Sequence, residues 1–421
     1  MKMIRAKDLT EDFFKYKEIP EIDSVKEIIA QVRKNGDGAV KKYSEQFDGV
    51  SPESIRVSNK QILTAASKLN PEEVAALKAA AENIRKFAEK QKEMFRDFEY
   101  EIQPGVMTGQ KVIPLKRVGI YAPGGSYPLP STVLMCAIPA KVAGVEELVL
   151  CSPPTHNGSI HPIILAAAVV CDIDEIYQIG GVQSIAAMAY GTETLPPVDK
   201  IVGPGNKYVT AAKKEVFGAV GIDFIAGPTE LLIIADGTAN PVFLAADLLA
   251  QAEHDANAIP VLITDSRKLA LQVEAEIKNQ LHQLKTADIA HISLENNGLI
   301  ILVDDLAESV EIANQKAPEH LELQVKESEK FVDQLKNYGS LFIGSLAAEV
   351  LGDYSSGLNH TLPTNTTARY TAGLSVKDFM KIQTTLQVSQ EGLNSIGPIA
   401  QKLSEMEGLE GHARSVAERL K

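Results

Sequence analysis

Residues 117–125 read Arg-Val-Gly-Ile-Tyr-Ala-Pro-Gly-Gly. A short apolar run ending in a proline and two glycines is the pattern of a buried strand and its turn, not of a helix. Helical spacing follows at 131–142, then another short apolar run at 147–150. The same succession repeats, with strands expected at 175–179 and 200–202 and helices at 162–171, 183–189 and 207–217. Short apolar strands alternating with helices mark β-α-β units around a largely parallel sheet.

Toward the C-terminus a second alternating set appears. Strands are expected at 230–235, 260–264, 298–303 and 340–343, and helices at 241–254, 268–284 and 306–316. Toward the N-terminus, residues 21–100 read as helical, with segments at 25–33 and 71–94, the latter opened by Asn70-Pro71-Glu72-Glu73. The expected fold is therefore α/β, with two Rossmann-like doubly wound domains and small helical segments at either end. The expected division is an arm over 1–20, a first domain of 21–115 together with 231–373, a second of 116–230, and a small C-terminal dimerisation segment over 374–421.

A length of 421 residues allows two core-bearing domains. The net charge of −13 disfavours nucleic acid or an anionic membrane as the main partner, leaving a small molecule. The longest apolar run, 163–171, is too short to span a bilayer, and no signal-peptide stretch opens the sequence. Three cysteines, Cys136, Cys151 and Cys171, lie in or beside apolar runs and outside any C-x-x-C pair, which fits core packing and a cytoplasmic location.

In doubly wound sheets ligands bind beyond the carboxyl ends of the strands, and glycines gather there. Tyr121–Gly125, Gly180–Gln183 and Gly203–Asn206 each follow an expected strand. Their backbone N–H groups suit a phosphate, although each also reads as an ordinary tight turn. None completes G-x-G-x-x-G, because Tyr208 stands where a third glycine would fall after Gly203.

Polar residues gather in a few other places. Asn240 and Pro241 open a helix on which Asp247, Gln251 and His254 form a polar stripe beside Leu244 and Leu248, either a solvated face or part of a metal site. His320, Asp353, His360 and His412 sit in short polar and glycine contexts, and a borderline cation takes such mixed imidazole and oxygen ligands. Glu319 and His320 are adjacent after Pro318. A histidine there can take an alcohol proton and a carboxylate can activate water, although Glu319 alone also reads as a turn residue. The segment 352–360 reads as a loop by composition, with His360 as a supporting or structural residue.

Taken together, these segments resemble the histidinol dehydrogenase family over nearly the whole chain. The matching stretches are 119–125, 131–135, 198–206, Ala-Gly-Pro-Thr-Glu at 226–230, Gln-Ala-Glu-His at 251–254, Ala-Pro-Glu-His-Leu at 317–321 and Gly-Asp-Tyr at 352–354. The resemblance implies NAD-dependent, four-electron oxidation of L-histidinol through the aldehyde to L-histidine, with one zinc ion per subunit. It places the zinc ligands on Gln251, His254, Asp353 and His412, with the substrate's imidazole and amino nitrogens completing the shell. It makes Glu319 and His320 the acid–base pair, Thr229 and Glu407 further substrate contacts, and Tyr121, Gln183 and Asn206 the NAD contacts. It also implies a homodimer in which Glu407 and His412 act across subunits. One departure is Thr229, where the family commonly has serine; the hydroxyl survives and the added methyl tightens the pocket. Two competing readings are a zinc hydrolase using the same ligands and a non-catalytic nucleotide binder.

Overall fold

The computed structural model describes residues 1–124 and 127–421; Gly125, quoted above in the first glycine turn, lies outside the described residues. The chain begins with strand β1 (Lys2–Arg5), followed by helices α1 (Asp23–Asp48), α2 (Asn59–Ala66) and α3 (Pro71–Lys92). A hairpin, β2 (Phe98–Gln103) and β3 (Val106–Pro114), leads into β4 (Arg117–Tyr121), α4 (Pro130–Ala143), β5 (Glu147–Cys151), α5 (Pro162–Val170) and β6 (Glu175–Tyr177). Then come α6 (Gly181–Tyr190), β7 (Lys200–Val202), α7 (Lys207–Val216) and β8 (Gly221–Ile222).

The second alternating set is β9 (Glu230–Ala235), α8 (Pro241–Ala252), β10 (Ile259–Thr264), α9 (Arg267–Leu281), α10 (Ala287–Asn296), β11 (Leu299–Leu302), α11 (Leu306–Lys316) and β12 (His320–Gln324). After a short helix α12 (Glu329–Val332), β13 (Ser340–Ile343) and α13 (Glu349–Tyr354) follow, and the chain ends with β14 (Met380–Val388), α14 (Gln390–Met406) and α15 (Glu410–Ala417).

Two fully parallel sheets result, one ordered β6-β5-β4-β7-β8 and one ordered β1-β11-β10-β9-β12-β13. Helices cover both faces of each, as parallel sheets require. The strand order reverses between β4 and β7 in the first sheet and between β9 and β12 in the second. Local chemistry starts several helices where the sequence expects: Asn70 forms a capping box with Glu73 ahead of Pro71, and the Asn240 side chain accepts from the Val242 N–H ahead of α8.

Four differences from the sequence reading stand out. Helices α1, α2 and α3 pack on the five-stranded sheet, so residues 21–115 do not group with 231–373: Val25, Ile28 and Val32 are buried with α6 and α7, and Leu77, Ala81 and Ile84 with α4 and α5. An apolar helix face records that it is covered, not which sheet covers it. The arm over 1–20 is not only helical, since β1 forms the edge of the six-stranded sheet against β11. The C-terminal segment likewise opens with a strand, β14, which pairs antiparallel with β3 in a separate three-stranded sheet. Finally, Gly352 and Asp353 lie in helix α13, not in a loop.

Among the described residues no helix is long and apolar enough to cross a membrane. The turn after β7 depends on Gly203, whose φ of 115° belongs to glycine and whose added Cβ would collide with the Tyr121 carbonyl oxygen. Gly203→Ala should therefore cost about 3 kcal/mol, read as a shifted urea midpoint with an unchanged slope.

Candidate active site

A cleft of about 1130 Å³ runs between the two sheets. One wall is made by the turns after β4, β6 and β7, with Tyr121, Gly124, Gly181, Gln183, Gly205 and Asn206; the other carries Glu253, His254, Asp255 and Tyr354. The first wall follows the rule that ligands sit at the carboxyl edge, next to the point where strand order reverses.

Each expected nucleotide contact is positioned there. Tyr121 is buried, its phenol pushed up to about 12 chiefly by burial, and its oxygen accepts the Gly181 N–H at 3.3 Å. Gln183, 1% exposed, has both side-chain polar atoms without a hydrogen-bond partner among the described residues. Asn206 caps α7, its Oδ1 accepting from the N–H groups of Tyr208 and Val209, which leaves Nδ2 as its donor. Asp48, which the sequence reading passed over, lines the same cleft, and burial raises its carboxyl to about 6.

The second sheet contributes its amino edge instead. Glu230 begins β9 and His320 begins β12, its neighbour, with Thr229 and Glu319 immediately before them. The crossover helix α8 runs back against β9, so its last turn returns to that edge carrying Gln251, with His254 just beyond the helix end. The negative end of the α8 dipole thus favours a cation at the same place.

A continuous hydrogen-bonded chain connects these residues. Gln251 Nε2 donates to Thr229 Oγ1 at 2.7 Å, and Thr229 donates to Glu319 Oε2 at 2.6 Å. The Glu230 N–H donates to the same carboxylate oxygen at 2.9 Å. Across the strand pair, His320 Nδ1 lies 3.1 Å from the Glu230 carbonyl. A carbonyl only accepts, so Nδ1 carries the proton and Nε2 faces Asp353, 3.4 Å away as an ion pair. Glu230 is itself held by Lys316 at 3.3 Å and by the Asn365 N–H at 3.0 Å.

Electrostatics follow from this enclosure. Burial raises the Glu319 carboxyl to about 7 against the opposing pull of His320, Thr229 and the Glu230 N–H. Burial would lower His320, but Glu319, Asp353 and Glu349 outweigh it and raise the imidazole to about 10. His254 is shifted downward, mostly by burial, although its edge is open to the cleft. Asp353 is held below its usual value: burial opposes this, and His320 more than compensates.

Ligand atoms of His254, Glu349 and Asp353 lie within 4.8 Å of one another. Gln251 Oε1 and Asp353 Oδ1 are buried without a hydrogen-bond partner. One imidazole and two carboxylates thus converge as a donor set suited to a divalent cation, and the Gln251 amide oxygen would be a further oxygen donor. His412 is not brought to this group; it is exposed on α15, and Glu407 is exposed at the end of α14. His360 packs nearby with Nε2 3.0 Å from Ser131 Oγ.

The sequence reading missed Glu349, Glu322 and Gln324. Glu349 and Asp353 are four residues apart, a signal legible only once 349–354 is read as a helix. The cysteines are buried and their thiols pushed far up by burial, which suits packing and not nucleophilic attack.

The Thr229 hydroxyl is one of the groups holding the Glu319 pKa down, so Thr229→Val should move it above about 7. A raised folded carboxyl costs stability as pH climbs from its unfolded value near ~4.3. The variant should extend that loss to higher pH, measured by urea unfolding across pH 5 to 9 together with NMR titration of the carboxyl.

The family model for histidinol dehydrogenase matches residues 15–420. A histidinol dehydrogenase of Methanothermobacter thermautotrophicus is 48% identical over 397 residues, covering 94% of this chain and 93% of that protein. One from Lactiplantibacillus plantarum is 49% identical over 397 residues, covering 94% and 92%. The crystal structure of histidinol dehydrogenase from Elizabethkingia anophelis superposes with a TM-score of 0.93 at 40% identity, covering 97% of this chain and 95% of that one. With site geometry, sequence and fold in agreement along nearly its full length, the chain belongs to the histidinol dehydrogenase family.

Proposed function

We propose that this chain oxidises L-histidinol through L-histidinaldehyde to L-histidine, using two equivalents of NAD at a zinc-bearing site in the cytoplasm, as the last step of histidine biosynthesis. The observation that carries the reading is the chain from Gln251 through Thr229 to Glu319, with His320 beside it and its Nε2 turned to the cation-binding group. Gln251 Oε1, His254 and Asp353 would hold zinc. Tyr121, Gln183 and Asn206 would hold NAD, in a cleft whose described lining contains neither Lys nor Arg and so suits a dinucleotide without an extra ribose phosphate. When bound, zinc orients and polarises the amino alcohol, and NAD takes up the two hydrides.

The protein's own groups move the protons. His320 Nδ1–H is committed to the Glu230 carbonyl, so Nε2 is the atom that takes the alcohol proton. A dication held by His254 and Asp353 would offset the carboxylate field that keeps this imidazole charged, leaving Nε2 free to act as a base. Glu319, poised near neutrality, takes a proton from the water that adds to the aldehyde carbon. Thr229 aligns that carboxylate and also lies within reach of the substrate.

Support for a homodimer comes from apolar side chains left exposed on the three-stranded sheet and on α14, including Tyr100, Ile102, Leu386, Ile399, Leu403 and Met406. The tail of a second copy would bring Glu407 and His412 to the site.

Purified protein should yield two NADH per L-histidinol at 340 nm, lose this on chelation and regain it with zinc. Glu319→Gln should stop near one NADH per histidinol, and His320→Asn should slow the first oxidation by about 10²–10⁴-fold while zinc and NAD still bind. No NADH with metal present would overturn the reading. Co-refolding His254→Asn with His412→Asn should restore about a quarter of the activity, because half of the randomly paired dimers carry one intact site; no recovery would assign both residues to one subunit.

A further inference from the structure

We propose that Glu349 is a metal ligand of the substrate-free site, and that the incoming substrate displaces it. The proposal rests on the zinc reading above and concerns a residue with no part in the acid–base pair or in the ligand set implied by the resemblance.

Glu349 is 1% exposed, and neither of its carboxylate oxygens has a hydrogen-bond partner. A buried carboxylate with no partner is costly unless it is protonated or a cation stands beside it. The charged groups facing it are Asp247, Glu319 and Asp353, all acidic, and His320, whose ring is already engaged by the Glu230 carbonyl and Asp353. What remains within reach is the position shared with His254 and Asp353, whose ligand atoms lie within 4.8 Å of its own.

The backbone that carries this carboxylate is held in place. Glu349 and Asp353 share one face of α13, four residues apart. The Glu349 N–H donates to Glu322 Oε1 at 2.9 Å, and Glu322 Oε2 accepts from Gln324 Nε2 at 2.8 Å. The same Gln324 nitrogen donates to Asp247 Oδ2 at 3.1 Å, one turn before Gln251 on α8. Strand β12 therefore braces both helices that carry the cation-binding groups and fixes the backbone position from which Glu349 extends.

The site has to serve two states. With L-histidinol bound, the substrate's two nitrogens fill coordination positions; without it those positions need another donor. Glu349 is the one buried carboxylate in the donor group that the substrate-bound set does not use. It completes the shell at rest and gives way to the amino alcohol, so the metal is not held by the permanent ligands alone between turnovers.

The test is zinc affinity by chelator competition on the full chain, with and without saturating L-histidinol and without NAD. Glu349→Gln should weaken zinc binding at least about tenfold in the free protein, the scale of losing a supporting group at a metal site, and less than about twofold with histidinol present. Reciprocity then requires the zinc-loaded variant to bind histidinol about tenfold more tightly, read by calorimetry. A gain in affinity is not what structural damage produces. Glu349→Met, which also removes a buried charge, should behave alike if the glutamine variant folds poorly. Equal zinc affinity without substrate, or an equal loss in both states, overturns the proposal. Failure of the unaltered protein to bind zinc more tightly than His254→Asn would instead overturn the zinc reading.

Discussion

The parallel pairing of β9 with β12 sets His320 opposite Leu231 and Leu321 opposite Leu232. Side chains alternate across a strand, so a slip of one residue would send His320 to the opposite face and put Leu321 on the face that carries the site. In the observed register, one residue of β9 serves two of β12. The Glu230 N–H holds the Glu319 carboxylate, and its carbonyl holds the His320 ring. A main-chain scaffold of this kind fixes orientation without depending on a flexible side chain, and the ion pair from Lys316 to the Glu230 side chain anchors it from the other direction.

Around that scaffold the protein concentrates negative charge. Asp247, Glu319, Glu322, Glu349 and Asp353 are all buried along β12 and the helices packed beside it. Burial raises the pKa of Asp247, Glu319, Glu322 and Glu349; Asp353 stays low because His320 stands against it. The arrangement is poor for folding stability and suited to holding a cation, a conflict expected of a functional site. The opposite wall of the cleft differs, with glycine turns, helix starts and uncharged amides beside the single carboxylate of Asp48.

The alternating strands and helices were legible in the sequence because buried parallel strands are short continuous apolar runs broken by glycine, and their observed bounds lie within three residues of the expected ones, the helix expected over 268–284 ending earliest, at Leu281. Most of the amino-edge residues were legible too, because Thr229, Gln251, His254, Glu319, His320 and Asp353 fall within short recognisable segments. The β2–β3 hairpin was not legible. Strand β2, Phe-Glu-Tyr-Glu-Ile-Gln, is exposed over almost its whole length, so its alternation marks no buried face. Strand β14 is exposed in the same way. Glu349 was missed because the glycine at 352 made its segment look like a loop, and the packing partner of α1 to α3 was missed because an amphipathic helix does not name what covers it.

The three-stranded sheet carries a kinetic cost. Strand β14 pairs with β3 over the full length of both, yet it is made roughly 270 residues later. Until it arrives, β3 has an open edge beside the exposed Phe98, Tyr100 and Ile102 of β2. An unpaired edge flanked by apolar side chains is a template for the wrong strand, from another nascent chain as readily as from this one. The apolar face that a partner copy would cover is therefore also the segment most exposed to misassembly during synthesis, and a charge placed on β2 would trade fewer wrong pairings for a weaker dimer.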